Sequence, residues 1–228
     1  MRRALVLALL SFAACTPRAV IPDAERERVA RDLDGQPRFL RVAVHAGPLW
    51  ADRWKLFLTD APADEIDLVE SAAGAPVAPP PAERVLPPGT AVRIAQVEFP
   101  TGWTISRRIL MSPRYHPWVY LELPGESRPG IIVLRQTAAS LEDIRGEIDR
   151  FLTPDDPTPA FQALPPEQRD AVLKMTLVEG MSMRAVEMAW GLPERRRIDQ
   201  PAATEEWIWP EGRRKAFFQN DRLARFEK

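Results

Sequence analysis

The chain holds one cysteine, Cys15, and it stands directly behind a leader: Met-Arg-Arg, an apolar run from Ala4 to Phe12, then the small pair Ala13-Ala14. With no second thiol there can be no intramolecular disulfide, so the fold must be held by its apolar core. The composition permits that. Apolar residues make up 45%, ordinary for a globular protein, and 228 residues suit one large or two small domains. The leader does not belong to that core. Arg2 and Arg3 form a basic n-region, Ala4–Phe12 an h-region too short to span a bilayer as a helix, and Ala13-Ala14 the small residues a processing peptidase needs.

The tetrad Phe12-Ala13-Ala14-Cys15 resembles the lipobox of bacterial lipoproteins, with Phe12 where leucine is usual. That resemblance implies a signal peptide over residues 1–14 and a diacylglycerol thioether on Cys15, the lipid attachment site. Each buried methylene contributes about 0.8 kcal/mol, so two or three acyl chains make a stable anchor where one does not. Thr16, in place of the aspartate that retains such proteins in the inner membrane, implies the outer membrane, facing the periplasm. Loss of the leader removes two arginines and leaves acidic residues in slight excess. A nucleic-acid partner is therefore not expected.

Along the chain, residues 15–37 read as lipid anchor and stalk, because the polar helix from Asp23 carries only Val29, Ala30 and Leu33 as an apolar stripe. From residue 38 the period changes to two. Leu40, Val42 and Val44 alternate, as do Trp54, Leu56 and Leu58, which predicts half-buried strands. Ala72–Pro88, rich in alanine and proline, reads as an exposed loop. Strands are expected again at Ala91–Phe99, Thr104–Met111, Trp118–Leu123 and Gly130–Arg135. Short strands at that spacing suggest a small barrel, and Leu86-Pro-Pro-Gly-Thr followed by Val92 and Ile94 resembles the strand entry of bacterial SH3-like domains. An amphipathic helix over Ser140–Leu152, with Ser140 and Asp143 as a capping box, closes this β-rich SH3-like domain of residues 38–153.

The proline-rich break at 153–159 separates a tail domain, residues 158–228. Pro165-Pro166 opens one helix, with Gly180 at its expected left-handed end. Ser182 caps a second helix, Met181 and Val186 form its hydrophobic staple, and Gly191-Leu-Pro193 stops it. Strands are expected at Glu205–Trp209, Arg214–Gln219 and Arg222–Phe226. The order is ααβββ and the fold class α+β.

This order, with Gly180-Met181-Ser182, Gly191-Leu192-Pro193, Trp207-x-Trp209 and the run Phe217 to Leu223, resembles the SmpA/OmlA (BamE-like) family of outer-membrane lipoproteins, over about the last sixty residues. Family members have glycine in the final turn where this chain has Asp221. The resemblance implies a role in envelope assembly.

Little in the chain points to catalysis. His45 and His116 are the only histidines and lack ligand-spaced partners, so neither a metal nor a cofactor is expected. Asp60, Asp64, Glu65 and Asp67 read as a solvated loop beside Pro62. Arg195-Arg196-Arg197 and Arg213-Arg214-Lys215 read as a solvated basic face. The residues left for recognition are aromatic and junctional: Trp103, Tyr115 and Trp118 on the barrel, and Gly180, Met181, Trp207 and Trp209 on the tail. Trp207 and Trp209 share one strand face, and entry of both into the core is the favoured reading. The expected activity is non-enzymatic binding, to the membrane through Cys15 and to an envelope protein. Peptidoglycan held by the SH3-like domain is the alternative, and a hydrolase with an unrecognised site the third.

Overall fold

Helix α1 (Asp23–Leu33) opens the part of the chain that the computed structural model describes, residues 21–228; the leader and Cys15 lie outside it. Asp23 is the first helical residue and makes no side-chain cap. The helix is not a free stalk. Val29 and Leu33 are buried, the Leu141 N–H donates to Glu25, and Arg145 pairs with Asp32 at 2.9 Å. A narrow stripe suffices because a second helix and a sheet both cover it.

That sheet contains β1 (Pro37–Leu40), β2 (Val44–Leu49), β3 (Asp52–Thr59), β4 (Arg84–Leu86) and β5 (Ala91–Glu98), to which β6 (Trp118–Glu122), β7 (Gly130–Val133) and β8 (Leu152–Thr153) are added later in the chain. Its order is β4-β2-β3-β7-β6-β5-β1-β8, with one parallel pair, β3 with β7. It is an open mixed sheet, not the closed barrel expected. The hairpin spacing read from sequence is compatible with either; what leaves the sheet open is that its edge strands β4 and β8 do not pair, and pairing between strands so far apart in the chain leaves no local mark.

Between β5 and β6 the expected strand over Thr104–Met111 is instead the short helix α2 (Gly102–Arg107) and a turn. Thr101 caps α2 by accepting the Thr104 N–H at 3.2 Å, and this overrides the β-branched residues that suggested a strand. Helix α3 (Leu141–Asp149) follows β7 with the Ser140/Asp143 capping box in place and Leu141, Ile144 and Ile148 buried against the sheet. In β3 the alternation breaks. Leu49 opposes Asp52 and Pro48 opposes Leu56, so Arg53-Trp54-Lys55 bulges out and Trp54 is exposed rather than sharing a face with Leu56.

The tail begins with α4 (Thr158–Gln162), α5 (Pro166–Leu173) and α6 (Met183–Trp190). Helix α5 stops well before Gly180: Met175 already takes a left-handed φ of 50°. Four strands follow rather than three: β9 (Arg195–Asp199), β10 (Thr204–Ile208), β11 (Lys215–Gln219) and β12 (Arg222–Glu227), in the antiparallel order β12-β11-β10-β9. Strand β9 was unread because its residues Arg-Arg-Arg-Ile-Asp are all exposed at a sheet edge, where no apolar alternation is required. The β11–β12 turn is as expected, with Asn220 and Asp221 both at positive φ. The molecule is thus α+β with two sheets, and among the described residues no helix is long and apolar enough to cross a membrane.

The first sheet meets the tail through a loop and a helix. Ala43, between β1 and β2, is buried with the tail core, and its N–H donates to the Met188 carbonyl at 2.7 Å. Leu40, Val42 and Val44 on either side of it are buried in the core of the first sheet.

Candidate functional site

Of the tail residues singled out for recognition, Met181, Trp207 and Trp209 are core, and only Gly180 is exposed. Trp207 and Trp209 are each 1% exposed and enter the core together, as their shared strand face allows. Trp209 donates to the Trp190 carbonyl at 2.8 Å and Trp190 to the Met175 carbonyl at 3.2 Å, while Trp207 and Phe218 lie 4.7 Å apart between ring centres. Met181 is fully buried, and Val186 beside it completes the staple. The Gly180 N–H donates to Leu223 at 2.7 Å and the Leu223 N–H to Met181 at 2.9 Å, so the helix–helix junction is stitched to β12. None of the four presents a free side chain to a partner.

The acidic loop after β3 is solvated only in part: Asp64 and Asp67 are exposed as expected, whereas Asp60 and Glu65 are drawn into contacts with the tail. Arg214, 3% exposed, donates to Glu65 at 2.8 Å across 149 residues of sequence and stacks over Trp190 and Trp209 at 5.2 and 5.7 Å. Arg213 lies 3.9 Å from Asp67. Asp60 abuts Gly191, and burial raises its pKa against the opposing influence of Arg150 and Arg214. Burial, and then Arg214, hold His45 below its ordinary value. Gly191 has φ 76° and ψ −177°, a conformation essentially confined to glycine, and a Cβ there would clash with Asp60 Oδ2. These groups form the joint between the sheets. The basic face is likewise solvated only in part: Arg195, Arg196 and Arg197 are exposed as expected, with Arg196 stacked on Trp207 at 4.3 Å and Arg197 paired with Glu206 at 3.0 Å, whereas Arg214 is buried.

The aromatics of the first sheet separate into a support and a tip. Trp118 is 1% exposed and donates to the Pro113 carbonyl at 3.0 Å. Arg108 lies 3.7 Å over its ring, donates to Glu98 at 2.6 Å, and also reaches the carbonyls of Arg114 and His116. Burial lowers the Arg108 pKa, and burial, then Glu98, raise that of Tyr120. His116 is buried with Nδ1 2.8 Å from the Leu134 carbonyl, and Tyr115 is half-buried beside Arg114. On this support stand Trp103, 72% exposed, and Leu110, 76% exposed, with Ile109 and Met111 also open to solvent. The Ala51 N–H donates to the Met111 carbonyl at 3.2 Å, which sets the exposed Trp54 bulge beside the same turn. Sequence reasoning found Trp103 but missed Trp54 and Ile109–Met111. A signal was present: no acidic residue stands between Glu98 and Glu122.

A cleft of about 480 Å³ runs between the sheets past Arg41, Asp155, Arg184, Glu187 and Arg196. The buried Nε of Arg41 beside it lacks a hydrogen-bond acceptor. Its lining charges are of both signs, with Arg41 4.0 Å from Glu187. Among the described residues no group of three or more His, Cys, Asp or Glu could hold a metal ion. No protein-family model, no curated protein and no solved structure matches the chain. The SmpA/OmlA and SH3-like resemblances therefore stand on the quoted residues alone.

Proposed function

We propose that the protein is a non-enzymatic envelope lipoprotein, anchored to the outer membrane through acylated Cys15 and acting as a protein-interaction or assembly module in the periplasm. The observation that carries this is the leader: basic Arg2-Arg3, the apolar run, and Ala13-Ala14 directly before the lone thiol. The fold gives it physical support. Ile21, six residues beyond Cys15, is already buried in the core of the first sheet. At about 3.5 Å per residue the tether reaches no more than about 20 Å, less than the roughly 40 Å breadth of a domain of this length. A body on so short a lead stays against its membrane. The SmpA/OmlA-like tail supports an assembly role, with its tryptophans serving the scaffold rather than the contact.

Membrane fractionation of Cys15→Ser tests the anchor: the variant leaves the membrane, and unchanged sedimentation with the outer membrane overturns the reading. Affinity purification from solubilised membranes then identifies the protein partner. One observation favours a second reading, peptidoglycan binding, because Trp103 is exposed enough to stack on a sugar ring. A pull-down on insoluble peptidoglycan separates the two, since only the second requires retention there.

A further inference from the structure

Large apolar side chains left in water are the least explained feature of the surface, and the largest of them converge. Trp103, Ile109, Leu110 and Met111 follow one another around α2 and its turn, and Trp54 stands on the bulge that the Ala51–Met111 hydrogen bond holds next to them. Exposed leucines or tryptophans occurring singly are common; five neighbouring large ones mark a contact surface.

These side chains are not exposed through looseness. Arg108 pins the turn from beneath with its ion pair to Glu98 and its carbonyl contacts, Ser112 donates to the Ile109 carbonyl at 2.7 Å, and Arg114 donates to the Ile105 carbonyl at 2.7 Å. The surface is therefore set in place before any partner arrives.

Charge identifies the partner. The segment from Phe99 to Leu121 contains arginines and no carboxylate. Arg107 lies 5.7 Å over the Trp103 ring, and Arg53, exposed on the bulge, has no carboxylate partner among the described residues. Tryptophan and leucine at a tip, flanked by guanidinium groups, suit the boundary between acyl chains and anionic headgroups, where the rings enter the interface and the arginines meet phosphate.

We propose that Trp103, Leu110 and their neighbours, with Arg53 and Arg107, form a docking surface for an anionic lipid bilayer. The inference deepens the tethered reading and rests on it, because a lead of about 20 Å holds the body beside a bilayer. It also orients the body: the acyl chains supply retention and the aromatic turn fixes which face looks at the lipid.

Residues 16–228, which include every described residue and lack the acylation site, are mixed with vesicles of phosphatidylcholine alone or with about one-third phosphatidylglycerol, and the bound fraction is measured by sedimentation. Binding to the anionic vesicles, weakened by salt, is expected. Leu110→Ala and Trp103→Ala should each lower the partition coefficient about tenfold, while Arg53→Ala with Arg107→Ala should erase the preference for anionic lipid. Melting temperatures should not move, because these side chains are exposed. Equal binding by wild type and the Leu110 and Trp103 variants overturns the proposal, as does absence of binding to anionic vesicles. Retention of the wild type, but not the Trp103 variant, on peptidoglycan without vesicle binding assigns the surface to glycan instead. A dimer in vesicle-free solution that Leu110→Asp dissociates assigns it to a second copy. Because Cys15 is absent, a negative result leaves the anchor reading untouched; the fractionation of Cys15→Ser tests that separately.

Discussion

Arg214→Ala is the substitution that most directly tests how the two sheets are joined. The guanidinium is 3% exposed, Glu65 is 14% exposed, and their 2.8 Å contact bridges residues 149 apart in sequence. Removing the arginine leaves Glu65 without its partner at a site largely screened from water and strips the cation from over Trp190 and Trp209. An exposed ion pair contributes about 0–1 kcal/mol, whereas taking one partner from a buried pair costs about 3–5 kcal/mol. At about 2–4 °C per kcal/mol for a chain of this size, the melting temperature should fall by roughly 6–20 °C. The magnitude reflects an uncompensated charge, so removing both members should cost less: Arg214→Met with Glu65→Gln should recover more than half of the loss. Urea unfolding at neutral pH, followed by circular dichroism and by tryptophan fluorescence, measures all three proteins. A loss below about 1 kcal/mol for Arg214→Ala, or a double variant worse than the single, would refute the reasoning.

Trp207→Ala and Trp209→Ala should each destabilise by about 3–5 kcal/mol, since both indoles are buried; near-unchanged melting would mean they stand outside the core. Gly191→Ala should cost at least about 2 kcal/mol from backbone strain plus the clash with Asp60, and less in an Asp60→Ala background, where only the strain survives; equal costs in the two backgrounds would remove the clash from the account. His45 is held below its ordinary 6.5, so the unfolded chain takes up the proton first: stability present above pH 6.5 is lost as pH falls from there through the folded-state value. His45→Gln should flatten that part of the stability profile, and an unchanged slope would count against the buried neutral imidazole.

What was legible in the sequence is what is decided locally. The Ser140/Asp143 box, the Ser182 cap and the Met181–Val186 staple are each written within six residues, and each is found. The inward pair Trp207 and Trp209 followed from strand alternation once Trp190 and Phe218 required large neighbours. What failed depended on distant partners. Thr104 and Ile105 favour a strand, but Thr101 caps a helix and Arg108 must reach Glu98, which bends the segment out of any sheet. Asp60 and Glu65 look like solvated acids until Gly191 and Arg214 cover them. Trp54 alternates correctly with Leu56 and Leu58, yet the β2–β3 register places it on a bulge, and register across two strands is not readable from one.

The pairing of β1 with β8 also carries a temporal consequence. Leu40 lies opposite Leu152 and Phe39 opposite Thr153, on the far side of β1 from β5. Residue 152 lies 112 residues beyond residue 40, so the pairing closes a long loop and is costly to form early, wherever the chain folds. Until it forms, β1 offers an open edge on that side. β8 contributes only two residues, yet the sheet is sealed on that side only when they arrive.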